Sequence, residues 1–227
     1  MGFSSPLAKF DWDDPLPQHF RERWSKIAAD IDNYHPVIPR CFLEFRNDLR
    51  DLRIFLDASQ HAYGAVAYFC GKDRVVFIFS KSRVAPLLIG KNPTILPQLD
   101  LMAALVGITL ANTIMKALKP LDIPLTVTMW SDSQIVLYWL AQTSRNKSHY
   151  AANRVDSIQK VSKSLQAIWH FFPTKSNPAD LLTRAYHSAN SNSHPVYGLM
   201  VNLGFLHLMT GEGFNVWVGV QRDKYIC

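Results

Sequence analysis

The sequence predicts an α/β fold, a five-stranded mixed sheet with flanking helices. Three segments rich in Val, Ile, Phe and Tyr follow one another between residues 52 and 80, joined by short turns. A long apolar helical segment comes next, and two further strand segments alternate with helices. Hairpin-joined strands pair antiparallel, whereas strands connected through a helix pair parallel. We therefore expect three antiparallel strands followed by two helix-linked strands.

The first three strands are predicted over 52–57, 62–70 and 74–80, with turns short enough for an antiparallel meander. A polar helix-like stretch precedes them at 18–33 and is ended by Pro36. This Pro-punctuated start differs in character from the strand-rich region after it. It is typical of a connector rather than of the sheet domain.

The longest helix is predicted over 97–119, because Pro97 lies in its first turn and Pro120 follows its end. The β-branched, apolar run at 123–130 predicts the fourth strand. Apolar residues crowd this part of the chain, so both elements are expected in the core.

The remaining elements complete the order helix, helix, strand, helix. A short amphipathic helix follows the fourth strand, with Ser131 or Asp132 as its N-cap. A helix at about 149–165 is predicted to bury one apolar face, formed by Val155, Ile158, Val161 and Leu165. The fifth strand is expected over 167–172, and the Asn-Pro pair at 177–178 opens the last helix as N-cap and first helical residue.

Composition excludes several classes of protein. With 227 residues, 48% hydrophobic and 12% aromatic, the chain can bury a sizeable core. The longest uncharged apolar stretch, 101–115, is shorter than the roughly 20 residues of a membrane span. The first residues show no signal peptide, and the three cysteines form no CxxC. We expect an intracellular protein, cytoplasmic or nuclear, with no membrane partner.

The net charge of +6 is concentrated in one stretch, 143–175. Its six basic residues stand against Asp156 alone and are Arg145, Lys147, Arg154, Lys160, Lys163 and Lys175. Lys and Arg contacts to phosphates supply the sequence-independent part of nucleic-acid affinity, which favours a polyanionic partner. A solvated helix face would show the same pattern and stays an open alternative.

Four carboxylates occupy the ends of predicted elements, where a sheet's ligand crevice would lie. They are Asp57, Asp100, Asp132 and Asp180. On the long helix a stripe of small residues, Ala103, Ala104, Gly107 and Ala111, shares a face with the second of them and lets the helix lie close to the sheet. Converging carboxylates repel one another unless a cation neutralises them, and all-oxygen ligands suit Mg²⁺ or Mn²⁺.

Each carboxylate also has a structural interpretation. Asp132 and Asp180 could be helix-start acids favoured by the helix dipole, and Asp100 could be a solvated first-turn acid. Asp57 fits such an interpretation least, since its strand is largely apolar and an unpaired charge there is costly. The carboxylates converge only if the predicted fold is correct.

These residues also carry a resemblance. Six stretches in order are similar to the ribonuclease H (RNase H) region of BEL/Pao-type LTR retrotransposon polyproteins: FLDAS (55–59), SKSRVAP (80–86), LPQLDLMAAL (96–105), WSDSQIVLYW (130–139), ANRV (152–155) and NPADLLTR (177–184). The segment WDDPLP at 12–17 resembles the connector after the reverse transcriptase. The resemblance covers about 10–186. The family also carries the label Pao retrotransposon peptidase.

The resemblance implies an RNase H-like fold that cuts the RNA strand of RNA–DNA hybrids with two Mg²⁺ or Mn²⁺ ions. It implies that Asp57, Asp100, Asp132 and Asp180 are catalytic and bind the metals. The family normally has Glu where this chain has Asp100, one methylene shorter, so we expect weakened activity. Many RNase H enzymes also place a His before the last helix, and 173–176 holds none. A repurposed, non-catalytic module that binds nucleic acid or protein is the alternative.

The resemblance further divides the chain into three parts. Residues 1–46 would be a connector following a reverse transcriptase, 47–186 the RNase H-like domain, and 187–227 a linker and C-terminal tail of unknown role. The expected partners are the RNA–DNA hybrid and the reverse transcriptase portion of the same polyprotein.

Other activities lack their motifs. An aspartic peptidase needs Asp-Thr-Gly or Asp-Ser-Gly, and neither occurs here. The chain has no HExxH, no Gly-rich phosphate loop and no GxSxG. His170 is expected to be a satisfied strand histidine. The aromatic residues expected in the core are Trp130, Trp139, Trp169, Phe171 and Phe172.

Overall fold

The structure, a computed structural model, describes residues 13–32, 46–72, 74–86, 96–142 and 149–183. The chain divides into two compact units at Ile38 and Pro39. The first unit contains helix α1 (Gln18–Asp32), in agreement with the helix predicted at 18–33. The second unit contains the sheet and the helices that accompany it. The predicted boundaries at 46 and 187 stay predictions.

A five-stranded sheet organises the second unit. Its strands are β1 (Leu49–Ala58), β2 (Ala62–Gly71), β3 (Val75–Val84), β4 (Thr126–Ser131) and β5 (Ile168–Phe171). They lie in the order β3-β2-β1-β4-β5. β1 pairs antiparallel with β2 and β2 with β3, whereas β1 pairs parallel with β4 and β4 with β5. The predicted fold class is confirmed.

Four helices accompany the sheet: α2 (Leu96–Leu118), α3 (Gln134–Ala141), α4 (His149–Leu165) and α5 (Asp180–Thr183). Short 3₁₀ helices lie at Lys119–Leu121 and Thr174–Ser176. By length and composition α2 with its 3₁₀ extension could cross a membrane. Many of its residues are buried against the sheet, as is usual for the core helix of a domain.

Several predicted boundaries differ from the structure. β4 begins at Thr126 rather than at 123, and β3 continues to Val84 rather than ending at 80. Ser133 is the N-cap residue of α3, so both predicted N-caps were wrong. α5 begins at Asp180, after a turn at 178–179.

The main core lies between one face of the sheet and α2. The small-residue stripe of α2 is buried, as predicted. At its centre a Cβ on Gly107 would clash with Leu56 Cδ2 and approach Ile54 Cγ2 to 3.2 Å and Met129 Cε to 3.3 Å. Glycine at this position therefore allows the helix backbone to lie directly on β1 and β4.

Helix α4 buries the predicted face. Val155 and Ile158 are fully buried, and Val161 and Leu165 pack partly buried against the same core. Gln159 Nε2 donates hydrogen bonds to the carbonyls of Leu140 at 2.8 Å and Gln142 at 3.1 Å, which joins α4 to the end of α3.

A smaller aromatic cluster lies on the opposite face of the sheet. Phe172 is buried in it, edge-on to Phe55 with ring centroids 5.3 Å apart. Trp130 is partly buried there, and the ring of His170 stacks on it at 4.6 Å, which agrees with a structural role for that histidine. Trp139 and Trp169 are also partly buried against the main core. Phe171 is 47% exposed, so its placement in the core was wrong; it is the last residue of β5, an outermost strand of the sheet.

Candidate active site

Asp57 lies at the end of β1, one residue beyond the core residue Leu56. The Asp57 residue is only 6% exposed. It pairs across the sheet with Gly64 of β2, so the strand is continuous up to this carboxylate. A charge in such a place needs compensation, either from hydrogen bonds or from a cation.

Helix α5 is docked on the end of β1 by three polar side chains. Asn177 Nδ2 donates to the carbonyl of Leu56 at 2.7 Å, and its Oδ1 accepts from the N–H of Ala179 at 3.1 Å. The hydroxyl of Thr183 donates to Asp57 Oδ2. Ser59 Oγ donates to the carbonyl of Thr183 at 2.7 Å. These bonds hold the last helix against a strand more than 120 positions earlier in the chain.

An open cleft of about 600 Å³ lies at this edge of the sheet. All four predicted carboxylates line it: Asp57, Asp100, Asp132 and Asp180. Asp100 comes from the first turns of α2, Asp132 directly follows β4, and Asp180 opens α5. The structure therefore brings together the four residues that the sequence placed at separate element ends.

Burial raises the pKa of Asp57 to about 7. The hydrogen bond from Thr183 opposes this by stabilising the ionised form. The carboxylates of Asp132, Asp180 and Asp100, in decreasing order, raise the pKa further by repulsion. Without a cation, burial and repulsion therefore favour the protonated form of Asp57.

Two more carboxylates show the same balance. Burial raises the pKa of Asp100 to about 6, against a hydrogen bond from Ser133 and with repulsion from Asp132. Burial also raises the pKa of Asp132, against a hydrogen bond from Thr174 and with repulsion from a neighbouring carboxylate. In each case a hydroxyl supports the ionised form, but desolvation is the larger effect. The cleft thus favours positive charge.

The donor set fits a hard divalent cation in its chemistry, since carboxylate oxygens are the ligands of Mg²⁺ and Mn²⁺. Among the described residues, however, no group of three or more Asp, Glu, His or Cys side chains is arranged around a single metal position. Mg²⁺ commonly uses one or two carboxylates together with waters and substrate phosphates. The carboxylates therefore fit such ions in pairs rather than as one closed cage.

The predicted basic residues lie in different places. Lys175 is exposed in the 3₁₀ helix directly after Thr174, which lines the cleft. Arg154 contacts α2 and its own helix: its Nε donates to Met102 Sδ at 3.1 Å, and its guanidinium lies 3.5 Å from the ring centroid of Tyr150. Lys175 is therefore adjacent to a cleft-lining residue, whereas Arg154 packs between helices.

Lys160 and Lys163 are exposed in the last turns of α4. This end of α4 leads directly into β5, and β5 begins at the edge of the sheet opposite the cleft because it runs parallel to β4. Arg145 and Lys147 lie outside the described residues. Lys160 and Lys163 thus lie at the end of α4 that is away from the carboxylates.

The sequence interpretation missed several cleft residues. His61, in the turn between β1 and β2, lines the cleft. So do Ser133, Thr174 and Thr183, whose hydroxyls hydrogen-bond to the carboxylates. The hydroxyl residues stand within three positions of an acid or in the loop before the last helix, but nothing local separates them from ordinary turn and cap residues.

The strand order β3-β2-β1-β4-β5, with carboxylates at the carboxyl ends of β1 and β4, defines a ribonuclease H-like class of protein. A family model described as "Pao retrotransposon-like RNaseH-like domain" matches residues 6–133, more than half of the chain. The chain belongs to this family. The match includes Asp57, Asp100 and Asp132 but ends before Asp180.

Solved structures of low identity are similar in fold. LC11-RNase H1, isolated from compost by a metagenomic approach, is 13% identical, with 59% of this chain and 92% of that chain covered and a TM-score of 0.44. The N-terminal RNase H domain of rv2228c from Mycobacterium tuberculosis is 12% identical, with 69% and 99% covered and a TM-score of 0.42. The foamy viral protease-reverse transcriptase in complex with RNA/DNA hybrid is 12% identical, with 79% and 22% covered and a TM-score of 0.43. No curated protein sequence matches the chain significantly.

Proposed function

We propose that the chain is a metal-dependent ribonuclease that hydrolyses the RNA strand of RNA–DNA hybrids. The observation that supports this most is the convergence of Asp57, Asp100, Asp132 and Asp180 in one open cleft. The raised pKa values of three of them indicate a site that is incomplete without positive charge. If each acid had only a separate structural role, the four carboxylates would not need to line the same cleft.

In the proposed reaction Asp57, Asp100, Asp132 and Asp180 would hold two Mg²⁺ or Mn²⁺ ions. Bound ions of this kind activate a water and stabilise the leaving oxygen of a phosphodiester. Hydroxyl hydrogen bonds from Ser133, Thr174 and Thr183 orient three of these carboxylates and partly offset the cost of ionising them. Water is the nucleophile, so no covalent enzyme intermediate forms.

Lys175 is the predicted nucleic-acid residue best placed to contact the hybrid, because it follows a cleft-lining residue and is exposed. Roles for Arg145, Lys147, Arg154, Lys160 and Lys163 remain part of the same proposal. Lys160 and Lys163, near the C-terminus of α4, would bind the hybrid only if it extends past the cleft towards the end of the sheet where β5 begins.

The test is cleavage of an end-labelled RNA–DNA hybrid by the purified chain with Mg²⁺ or Mn²⁺. We expect Asp57→Asn to reduce the rate by at least about a hundredfold, since supporting groups around metals already contribute 10- to 100-fold. Asp156→Asn, on the exposed side of α4, is the matched control and should cut normally. A well-folded chain that does not cut with either metal would refute the proposal.

A second candidate is a non-catalytic module that binds the hybrid without cutting it. Two observations favour it: Asp100 replaces the usual longer Glu, and no three carboxylates of the described part surround one metal position. It predicts hybrid binding that weakens with salt but no turnover. The same assay, combined with a binding titration, separates the two candidates.

We also propose that the chain derives from the polyprotein of a BEL/Pao-type element and works beside its reverse transcriptase, inside the cell and without a membrane partner. The family match supports the retrotransposon origin. Sequencing the surrounding reading frame tests the rest: a reverse transcriptase upstream agrees with it, and an unrelated host gene on both sides would contradict it.

A further inference from the structure

The extension of β3 beyond its predicted end is an exposed, basic strand edge. β3 is the outermost strand of the sheet on the side of the hairpins. Its last four residues are all exposed, and two of them, Lys81 and Arg83, are basic. We refer to Lys81 and Arg83 together as the basic edge. Neither residue forms an ion pair within the described parts of the chain, where the salt bridge is Arg53 with Asp51.

The register of the sheet puts the basic edge level with the cleft. Ser82 pairs with Gly64, and Gly64 pairs with Asp57 of β1. Neighbouring strands are about 4.8 Å apart, so the backbone of β3 at this level lies about 10 Å from that of Asp57. Lys81 and Arg83 pair with Ala65 and Tyr63 and so lie on the face of the sheet that packs against α2, which carries Asp100, and not on the face of the Asp57 side chain.

Hydrogen bonding fixes the end of the edge to the rim of the cleft. The N–H of Ala85 donates to the carbonyl of His61 at 2.7 Å, and His61 lines the cleft. Arg83 is two residues before this bond and pairs with Tyr63. The basic edge is therefore attached to the turn that borders the carboxylates.

A close backbone approach makes the extension a specific feature of the fold. A Cβ on Gly64 would lie 2.6 Å from the carbonyl oxygen of Lys81 and 3.0 Å from Ser82 Cα. A larger residue at this position would push the two strands apart. The sequence thus has glycine where the end of β3 must stay paired.

The spacing of the two charges suits a nucleic-acid backbone. Lys81 and Arg83 pair with Ala65 and Tyr63, so both project from the same face of the sheet. Residues two apart on a strand are about 6.7 Å apart. Duplex phosphates follow one another every 3.4 Å or so along the axis of each strand. The two side chains can therefore reach different phosphates of one strand.

From this geometry we propose that the basic edge binds the phosphate backbone of the hybrid next to the scissile position. Lys175 borders the cleft from the 3₁₀ helix, so the carboxylates would lie between two basic borders. The inference deepens the proposed function and rests on it. It assigns substrate binding to a segment outside the basic stretch at 143–175.

The experiment measures hybrid affinity against salt, in an Asp57→Asn background that does not cut. Lys81→Gln with Arg83→Gln should weaken binding roughly tenfold near 0.15 M salt and reduce the slope of log K against log salt by about 1 per residue. The matched control is Lys116→Gln with Lys119→Gln, two exposed lysines at the opposite end of α2 from Asp100. That control should retain nearly the parent affinity.

Charge reversal supplies a second variant. Lys81→Glu with Arg83→Glu should weaken binding more than the Gln pair, while circular dichroism confirms an unchanged fold. In the cleaving protein the Gln pair should raise KM more than it lowers kcat. Unchanged affinity and unchanged salt slope in the Gln pair would overturn the inference, as would an equal loss in the Lys116 and Lys119 control.

Two further outcomes are informative. Exposed edge strands also use Lys and Arg to prevent pairing with other chains. If the Gln pair forms oligomers but binds the hybrid as the parent does, the charges protect the edge and the inference is wrong. If the parent itself neither binds nor cuts the hybrid, the proposed function fails and this inference fails with it.

Discussion

The main core and the cleft meet on β1, where Leu56 and Asp57 are adjacent and both nearly fully buried. In the core, burial is compensated by packing: Gly107 of α2 brings its backbone against Leu56 without a void. In the cleft, burial is only partly compensated, by single hydroxyl hydrogen bonds, and the pKa of Asp57 is raised to about 7. The cost of burial is thus compensated at Leu56 but only partly compensated at Asp57, the next residue of the same strand.

This difference separates the part of the molecule that stabilises the fold from the part available for chemistry. Functional sites are where unfavourable burial and like charges are typically maintained, because the surrounding structure supplies the stability. The core under α2 holds three of the elements that bear carboxylates: β1, α2 and β4. Changes in the core should therefore alter stability, and changes in the cleft should alter metal response and rate.

The largest expected effect is a pH-dependent loss of stability without metal. The Asp57 carboxyl binds its proton more tightly in the folded than in the unfolded state. The contribution of Asp57 to stability is therefore fully present below about pH 4 and is lost as the pH rises to about 7. Asp100 adds to the loss up to about pH 6. We expect the contribution of these two carboxyls to make the free energy of unfolding about 2 to 4 kcal/mol lower at pH 8 than near pH 4. Urea unfolding in EDTA measures this difference.

Metal and variants sharpen this prediction. Millimolar Mg²⁺ or Mn²⁺ should raise Tm more at pH 8 than at pH 5, since the ions bind the ionised carboxylates. Asp57→Asn should flatten the pH dependence, while Asp156→Asn should not. A pH profile identical in Asp57→Asn and the parent would show that this carboxyl is not strained.

The next effect concerns the core. Gly107→Ala should reduce the unfolding free energy by about 2 kcal/mol, because overpacking against Leu56, Ile54 and Met129 outweighs the better helix propensity of alanine. Urea unfolding monitored by circular dichroism measures it. Thr113→Ala, exposed on the same helix, should change stability by less than about 0.5 kcal/mol. Equal stability of Gly107→Ala and the parent would mean that α2 can move away from the sheet.

The smallest expected effect is a gain in rate. Asp100→Glu restores the length usual in the family and should raise hybrid cleavage about tenfold, or about 1.4 kcal/mol of the barrier. The same change at another cleft position, Asp132→Glu, should not raise the rate. If Asp100→Glu is slower than the parent, the cleft is built around the shorter side chain.

Local patterns were most successful where an element is specified by its own residues. The predicted helix at 149–165 agrees with α4 in both bounds, because its apolar face repeats regularly and packs on one core. The end of β3 was missed because it depends on the approach of Gly64 and on the bond from Ala85 to His61. Neither contact leaves a pattern in the residues of β3 itself.

The candidate site shows the same limit. All four cleft carboxylates were predicted, since an acid beside an apolar strand or small-residue helix face is visible in the sequence. His61 and Thr183 were not predicted as cleft residues, because their roles depend on a turn and a helix docked from distant parts of the chain. Lys160 and Lys163 share a charged stretch with Lys175, but the direction of α4 separates them from the cleft.

The amino-acid sequence was enough to predict the order of strands and helices along the chain, the fold class and the four acids at element ends. These features follow from periodicity, turn residues and the cost of placing charge in apolar segments, which are local properties. Tertiary packing determined that the acids share one cleft and that Asn177 and Thr183 fasten the last helix to β1. The convergence of the four carboxylates depends on the order of the strands within the sheet and on how closely α2 and α5 pack against it. No single segment encodes these distances.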